Sequence, residues 1–521
     1  MEQRALPQSA SHRPSSSSRA SRAARNSAGP VRFDGIRATL RVLDAFLSAI
    51  ESTVWELRLT VEELTESTSR GLAGAKADLG DAGFRLARLT QTGASLSLVA
   101  TSYRLHVTKA AFLPRRIAAR SLEELHHKNA RRLRLAAETH GGAFLKVGQL
   151  LSSRPDIVPA SYVTELSVLQ DAAPQVDFAA VKAALEAELS QPLEEIFLSF
   201  DETPIAAASI GQVHRATTKE GLEVAVKVQR PGIAPLVAQD LALLELFLEA
   251  LAPMLPPMDL GTITREIRSS VMRELDFGAE AADGMAVGRF LAGSPGIVIP
   301  EVVESLSTPR VLVTHFVKGR KITDVLDELA ALASQGDESA AARRDHILGT
   351  VLEMYVRQIL EGGRFQADPH PGNLLVTPDD EVVLLDFGCT QSMSPETRKQ
   401  YLSLVSAFVV NDLEGVVRNL DALGFKTRSG KHDTLLHFAE ALLGSFAKTA
   451  GEARFPTKEE LEAEARALYG SMERDPVEGL PPEFVMIARV FGTLGGLFMH
   501  YRPQIDVTAR VLPVVARAMA S

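Results

Sequence analysis

The densest run of chemically capable residues lies between Gln366 and Gly388, QADPHPGNLLVTPDDEVVLLDFG. Two apolar stretches there flank the turn formers Thr377 to Asp380, a pattern that predicts a β-hairpin. In an antiparallel register centred on Asp379 and Asp380, Asn373 at the entry faces Asp386 at the exit. An amide oxygen beside a carboxylate suits a hard cation, and Mg²⁺ takes few protein oxygens, completing its shell with water and phosphate. Asn373 and Asp386 are therefore candidate metal ligands. A second feature is EVAVKVQ, Glu223 to Gln229, whose alternation puts Val224, Val226 and Val228 on one strand face and Ala225 and Lys227 on the other. An ammonium on an otherwise apolar strand needs an acid or a phosphate, unless it reaches solvent.

Other elements must hold these residues. RVLVTHFV (Arg310 to Val317), NLLV (Asn373 to Val376) and EVVLLDF (Glu381 to Phe387) read as short strands, and the pattern is helical after about Ser394. From Asp34 to Arg120 apolar residues such as Leu40, Leu43, Phe46, Leu47 and Ile50 recur at helical spacing. That stripe packs on the chain's own core or, as the sharper alternative, docks on a membrane or partner. Ser121 with Glu124 reads as a capping box opening a long helix, and a second helix carries AFLKVGQLL. Lys146 and Gln149, three apart, share a face of that second helix. The layout is α+β, a strand-bearing lobe followed by a mostly helical one.

A chain of 521 residues exceeds one ordinary core, so two or three packed units are expected. A net charge of -9 argues against nucleic acid as a partner. Cys389 is the single cysteine, which excludes an internal disulfide and a thiolate metal cluster and suits a reducing, cytoplasmic setting. Following Asp386-Phe387-Gly388 directly, it reads as a small packed residue rather than a reactive one. Residues 1–32, with six arginines, a four-serine run and one acid, read as a disordered basic tail whose composition also suits a transit peptide. The longest apolar run, Phe484 to Met499, is cut by Arg489 and by glycines, so no membrane span is expected.

Asp368 precedes Asn373 by five residues, the separation between the catalytic Asp and the metal-binding Asn of a kinase catalytic loop. It is the candidate base or water-orienting group. With KVGQ (Lys146 to Gln149), PIAAASIGQVHRA (Pro204 to Ala216), VAVKVQRPG (Val224 to Gly232), ELDFGAEA (Glu274 to Ala281), ADPHPGN (Ala367 to Asn373) and DFG (Asp386 to Gly388), the chain resembles the UbiB, or aarF-domain, atypical kinases.

The resemblance implies a kinase-like bilobal fold with an N-terminal helical extension and a mostly helical C-terminal lobe, using ATP and Mg²⁺ as cofactors. Lys227 would contact the α- and β-phosphates and pair with Glu280. Ala206, Ala207, Ala208 and Ser209 would replace a glycine-rich phosphate loop, their methyl groups narrowing its backbone freedom. His315 and Val317 would form the adenine hinge. Lys146, Gln149, Glu274 and Asp276 would make a family-specific gate, the lysine meeting the acidic pair where a peptide substrate would otherwise lie. The implied organisation is a tail at 1–32, a helical extension at 33–120, a helical module with the KxGQ motif at 121–200, an N-lobe with inserted helices at 201–318 and a helical C-lobe at 319–521.

The implied activity is that of an ATPase or atypical kinase supporting ubiquinone or other isoprenoid-lipid metabolism. Its implied partners are ATP, an isoprenoid lipid or quinone-pathway proteins, and the periphery of a membrane. The alternatives are a protein kinase acting in trans and a nucleotide-gated binding switch with little turnover. Three positions depart from the family pattern: Gln366 stands where histidine is usual, His315 where Glu is usual, and Asp283 where Asn is common.

Overall fold

The computed structural model describes residues 72–110, 112–140, 142–152, 158–169, 175–251, 260–410, 412–430, 435–436, 477–479 and 481–520. The expected basic tail and most of the stripe that starts at Asp34 lie outside the described residues. Two compact units are present, and the division is not linear: one holds Met1–Leu169 and Pro235–Arg265, the other Gln170–Ala234 and Glu266–Ser521.

The first unit is helical, with α1 (Leu72–Ala110), α2 (Arg115–His140), α3 (Gly142–Ser152) and α4 (Ala160–Leu166). Val99, Ala130, Ala137, Phe144, Leu145 and Leu166 form its buried interior. The helix α2 starts before the expected capping box. The carbonyl of Pro114 already accepts from the amides of Ile117 and Ala118, at 2.9 and 3.0 Å. Proline has the fixed φ that a first turn needs, so it outranks Ser121 as the start signal. Ser121 instead lies inside the helix with its Oγ 3.4 Å from Nδ1 of His106, and Glu124 pairs with Arg120 at 3.4 Å. The glycine of the KVGQ motif has a packing reason, because a Cβ on Gly148 would collide with Cδ1 of Leu169.

The second unit begins with α5 (Phe178–Leu189), capped by the Asp177 carboxylate, and α6 (Leu193–Ile196). Four strands follow: β1 (Phe197–Phe200), β2 (Ala206–Ala207), β3 (Gly211–Thr218) and β4 (Glu223–Gln229). The chain then enters the first unit with most of α7 (Ile233–Leu251) and the start of α8 (Leu260–Glu274), and the second unit resumes with the rest of α8, α9 (Phe277–Leu291), β5 (Ile297–Val298) and β6 (Val311–His315). An antiparallel sheet runs β1-β3-β4-β6, with β2 added to β3. Its buried face carries Val224, Val226 and Val228, at 0%, 0% and 2% exposure, against Val181, Leu185 and Phe197. The alternation expected for EVAVKVQ is thus present, and it leaves Lys227 on the opposite face.

The chain continues through β7 (Arg320–Lys321), α10 (Ile322–Ser334), α11 (Glu338–Arg357), a π turn at Gln358–Gly362 and β8 (Arg364–Gln366). A 3-10 turn at Pro371–Asn373 leads into β9 (Leu374–Val376), β10 (Val382–Leu384) and β11 (Thr390–Ser392). Then follow α12 (Pro395–Val409), α13 (Leu413–Leu423), β12 (Lys426–Thr427), β13 (Val477–Gly479), α14 (Pro482–Tyr501) and α15 (Val507–Ala520). The small pair β12–β13 breaks the expectation of helix alone after Ser394. The fold is α+β, with the helical lobe built around Ile347, Val351, Tyr355, Phe365, Leu384 and Val490.

The β9–β10 hairpin forms as expected, but its register is displaced by one residue. Val376 pairs with Val382 and Leu374 with Leu384, and the Leu385 amide donates to the Asn373 carbonyl at 3.0 Å. Asn373 therefore lies opposite Leu385 rather than Asp386. The cause is a three-residue loop: the Thr377 amide donates to Glu381 at 3.0 Å, and Asp380 takes a left-handed φ of 61°. Arg343 holds the carboxylate of that residue with two bonds of 2.7 Å.

Among the described residues, α14 is the helix long and apolar enough to cross a membrane. Its Val490, Leu494 and Phe498 are buried in the helical lobe, while Phe491 and Met499 on the same helix are exposed.

Candidate active site

The site assembles within the second unit where β4, α9 and the segment around the β9–β10 hairpin converge. Asp276 ends the loop before α9 and caps it, accepting from the Ala279 amide at 3.1 Å. That cap fixes the first turn, which places Glu280 under β4. Lys227 Nζ donates to both Glu280 oxygens, at 2.7 and 2.8 Å. The same Nζ lies 3.6 Å from Oδ2 of Asp386 and 4.9 Å from the centre of the Phe277 ring. The Glu280 side chain is only 4% exposed and that of Lys227 is 23% exposed, so the lysine alone keeps an open side. Burial raises the Glu280 carboxyl above the ordinary carboxylate range; Lys227 opposes this and Asp386 adds to it.

Asp386 is oriented by its own turn, Oδ1 accepting from the Gly388 amide at 2.8 Å. Phe387 is buried against α9, where a Cβ on Gly284 would lie 3.0 Å from its ring. Asn373 ends the 3-10 turn that His370 caps through Nδ1. Its Nδ2 donates to the Asp368 carbonyl at 3.4 Å, which leaves the amide oxygen as its ligand atom. Both Asn373 and Asp386 lie just beyond the ladder, so these turns, and not strand alternation, set their directions.

Gln366, buried at 0% exposure, occupies the expected histidine position and organises the loop. Its Oε1 accepts from Tyr355 Oη at 2.8 Å and from the Asp368 amide at 3.1 Å. Its Nε2 donates to the Asp368 carbonyl at 2.6 Å, and its own amide donates to Gln358 Oε1 at 3.0 Å. The π turn is what brings Gln358 there.

Asp368 has a partner that the sequence reading left out. Arg489 on α14 places Nη2 3.0 Å from Asp368 Oδ1. Burial disfavours the Arg489 cation, but Asp368, Cys389 and Glu274 outweigh it and raise its pKa above the ordinary value. In the sequence Arg489 figured only as the break in an apolar run. A lone guanidinium on a core-facing helix requires a buried acid, and that requirement was the available signal. Burial pushes the Cys389 thiol up to about 11, which fits a packed residue.

Ala206 and Ala207 form β2, paired with Val213 and Gln212, and the Ala208 amide closes the turn onto the Gly211 carbonyl at 2.8 Å. Gly211 is required there, since a Cβ would lie 2.7 Å from the Val228 carbonyl oxygen. Ser209 follows with its Oγ buried and without a hydrogen-bond partner in the protein. His315 spends its amide on the Glu301 carbonyl at 2.8 Å, so of its backbone groups only the carbonyl could serve adenine; Val317, half-buried, lies just beyond β6. Lys146 and Gln149 lie on α3 in the first unit, their side chains outside the described residues. Glu274 acts on Arg489 and Cys389, and Asp276 is the cap of α9.

Residues 168–420 match the ABC1 atypical kinase-like domain. The chain is 32% identical over 400 residues to the probable protein kinase UbiB of Pseudomonas fluorescens, covering 74% of this chain and 71% of that protein. The chain belongs to the UbiB family of atypical kinases. Within that family it is 33% identical to the chloroplastic protein ACTIVITY OF BC1 COMPLEX KINASE 3 of Arabidopsis thaliana, over 77% of this chain and 54% of that one. It is 31% identical to the protein sll0005 of Synechocystis, again spanning about half, 54%, of that relative's length. The solved structure of the Rv3197–erythromycin complex from Mycobacterium tuberculosis superposes with a TM-score of 0.52 at 23% identity, covering 76% of this chain and 99% of that one. That likeness speaks for the fold alone.

Proposed function

We propose that the chain binds Mg-ATP at this site and transfers the γ-phosphoryl group to water or to a small acceptor, as an ATPase-like UbiB protein. The observation that carries the reading is the Lys227–Glu280 pair with Asp386 at 3.6 Å from the same Nζ. That arrangement aims a half-buried cation at the place where phosphate would meet metal.

The residues fit the ligands. The orphaned Ser209 Oγ, buried beside the alanine loop, would find its partner in a phosphate oxygen. Among the described residues no three His, Cys, Asp or Glu side chains gather into a metal site. Asn373 and Asp386 alone would hold Mg²⁺, which suits an ion that keeps most of its shell for water and phosphate. Bound there, Mg²⁺ would neutralise charge developing on the phosphate oxygens. Lys227 holds the phosphates, Glu280 holds Lys227, and Asp368, steadied by Gln366 and Arg489, orients the nucleophile. Adenine would meet the segment at His315 and Val317. The UbiB kinship supports a role in ubiquinone or other isoprenoid-lipid metabolism.

The test is a thermal melt of the wild type and Asp386→Asn, with ATP or ADP and with or without Mg²⁺, followed by phosphate release on the same samples. A ligand bound only by the folded state raises the melting temperature. A Mg-dependent rise that the variant loses, together with phosphate release, is expected. Binding without release selects the nucleotide switch, labelled protein product selects the kinase in trans, and no shift in any condition overturns the site.

A further inference from the structure

Of the three departures from the family pattern, Asp283 is the one that the nucleotide site does not use. It lies on α9 one turn beyond Glu280, and its side chain is 8% exposed. Each carboxylate oxygen meets a different arginine. Oδ2 accepts from Nη2 of Arg273 on α8 at 2.6 Å, and Oδ1 lies 3.4 Å from Nη1 of Arg364 on β8. Arg364 in turn donates from Nε to Ser392 Oγ at 3.1 Å, across the β8–β11 pair in which Arg364 faces Ser392 and Gln366 faces Thr390.

The other end of that ribbon runs into the site on both strands. The chain leaves β8 at Gln366 and reaches Asp368 two residues later, and it enters β11 directly from Asp386, Phe387, Gly388 and Cys389. The Ala367 amide closes this end by donating to the Cys389 carbonyl at 2.7 Å. On the other side stands α9, with Glu280 on Lys227 and Gly284 against the Phe387 ring. Asp283 thus joins the helix that carries the lysine's partner to the ribbon that carries Asp368.

The two arginines explain why the residue is Asp. A carboxylate offers an acceptor to each guanidinium, whereas an asparagine would turn an amide donor toward one of them. A buried ion pair contributes little net stability over a well-packed apolar pair, because desolvation offsets the attraction.

We propose that what it contributes here is direction, and that Asp283 is a positioning residue for the reaction assigned above. Through Arg364 it sets the β8–β11 ribbon, and with it Asp368, at a fixed place relative to the Lys227–Glu280 pair. The effect on turnover rests on the Mg-ATP reading; the clamp itself does not.

Two measurements on the full-length protein separate them. Without nucleotide, hydrogen exchange at residues 364–367 and 390–392 should quicken about tenfold in Asp283→Asn and in Arg364→Gln, while the amides of α9 keep their wild-type protection. The second variant replaces a half-exposed side chain and so leaves the fold intact. In phosphate release from ATP, each variant should lower kcat about tenfold with KM within about twofold, since Lys227 and Glu280 still hold the phosphates. The double variant should lose no more than either single one, because the two side chains act as a unit. Unchanged exchange overturns the clamp. An unchanged kcat, a loss confined to KM, or additive losses in the double variant overturns the positioning role. A wild type that releases no phosphate defeats the Mg-ATP reading instead, and the hold of Asp283 on the ribbon then stands or falls on exchange alone.

Discussion

Oδ1 of Asp368 lies 3.0 Å from Nη2 of Arg489, joining the candidate nucleophile-orienting group to a helix that enters the fold long after the catalytic loop is complete. Removing the guanidinium should leave Asp368 able to rotate, and misplacement of such a group is costly to turnover. Arg489→Ala should lower kcat for phosphate release about tenfold or more while the nucleotide-induced melting shift stays near that of wild type. Steady-state kinetics beside melts decide it: a loss confined to KM would mean that Arg489 serves binding instead.

Gln366 makes a different prediction, about stability. Its side chain answers Tyr355 Oη and both backbone groups of Asp368. Gln366→Ala should cost about 2 to 4 kcal/mol, because two or three buried groups lose their partners. Gln366→His should cost less, since an imidazole supplies one donor and one acceptor but cannot meet all three at once. Urea denaturation of the three proteins orders them, and an alanine variant as stable as wild type would remove Gln366 from its proposed role.

Much of this site was legible in the chain because its determinants are local. The alternation of β-branched residues in EVAVKVQ fixes both the strand and the face of Lys227, and the turn formers fix the β9–β10 hairpin. What escaped depends on contacts far along the chain. The strand β3 hides behind polar inward positions, Gln212 and His214, which are buried but hydrogen-bonded to each other at 2.9 Å. The hairpin register turns on Arg343 clamping Asp380 in a left-handed conformation, which no turn rule applied to residues 377–380 alone can see. Arg489 became meaningful only once α14 was packed beside the catalytic loop.

Cys389 offers a test of burial next to the DFG segment. With its thiol pushed up to about 11, the thiolate appears only as pH rises toward that value. Alkylation by iodoacetamide at pH 7.5 should be about a hundredfold slower in the folded protein than in the unfolded chain, where the thiol is ordinary. Cys389→Ser should retain phosphate release. Fast labelling of the native protein, followed by mass spectrometry, would show that the thiol is open to solvent.

The Lys227–Glu280 pair couples stability to pH in a definite direction. Glu280 has a folded-state pKa above its ordinary value of 4.5, with burial as the main cause and Lys227 as the chief opposing influence. A carboxyl raised in this way contributes stability that is complete below its unfolded pKa and is lost as pH rises through the folded one. Lys227→Met deletes the opposing charge, so the folded pKa climbs further and the loss extends to higher pH. The variant should be destabilised by about 3 to 5 kcal/mol at pH 8, where Glu280 must be either charged without a partner or protonated against the solvent. At pH 5 the penalty should shrink, because the proton is then available cheaply. Lys227→Met/Glu280→Leu should recover most of the stability at pH 8 without recovering nucleotide binding, since an apolar pair fills the space but offers phosphate nothing. Denaturation at the two pH values measures the difference: a penalty that is equal at both, or larger at pH 5, would mean that Glu280 is not the buried carboxylate on which Lys227 depends.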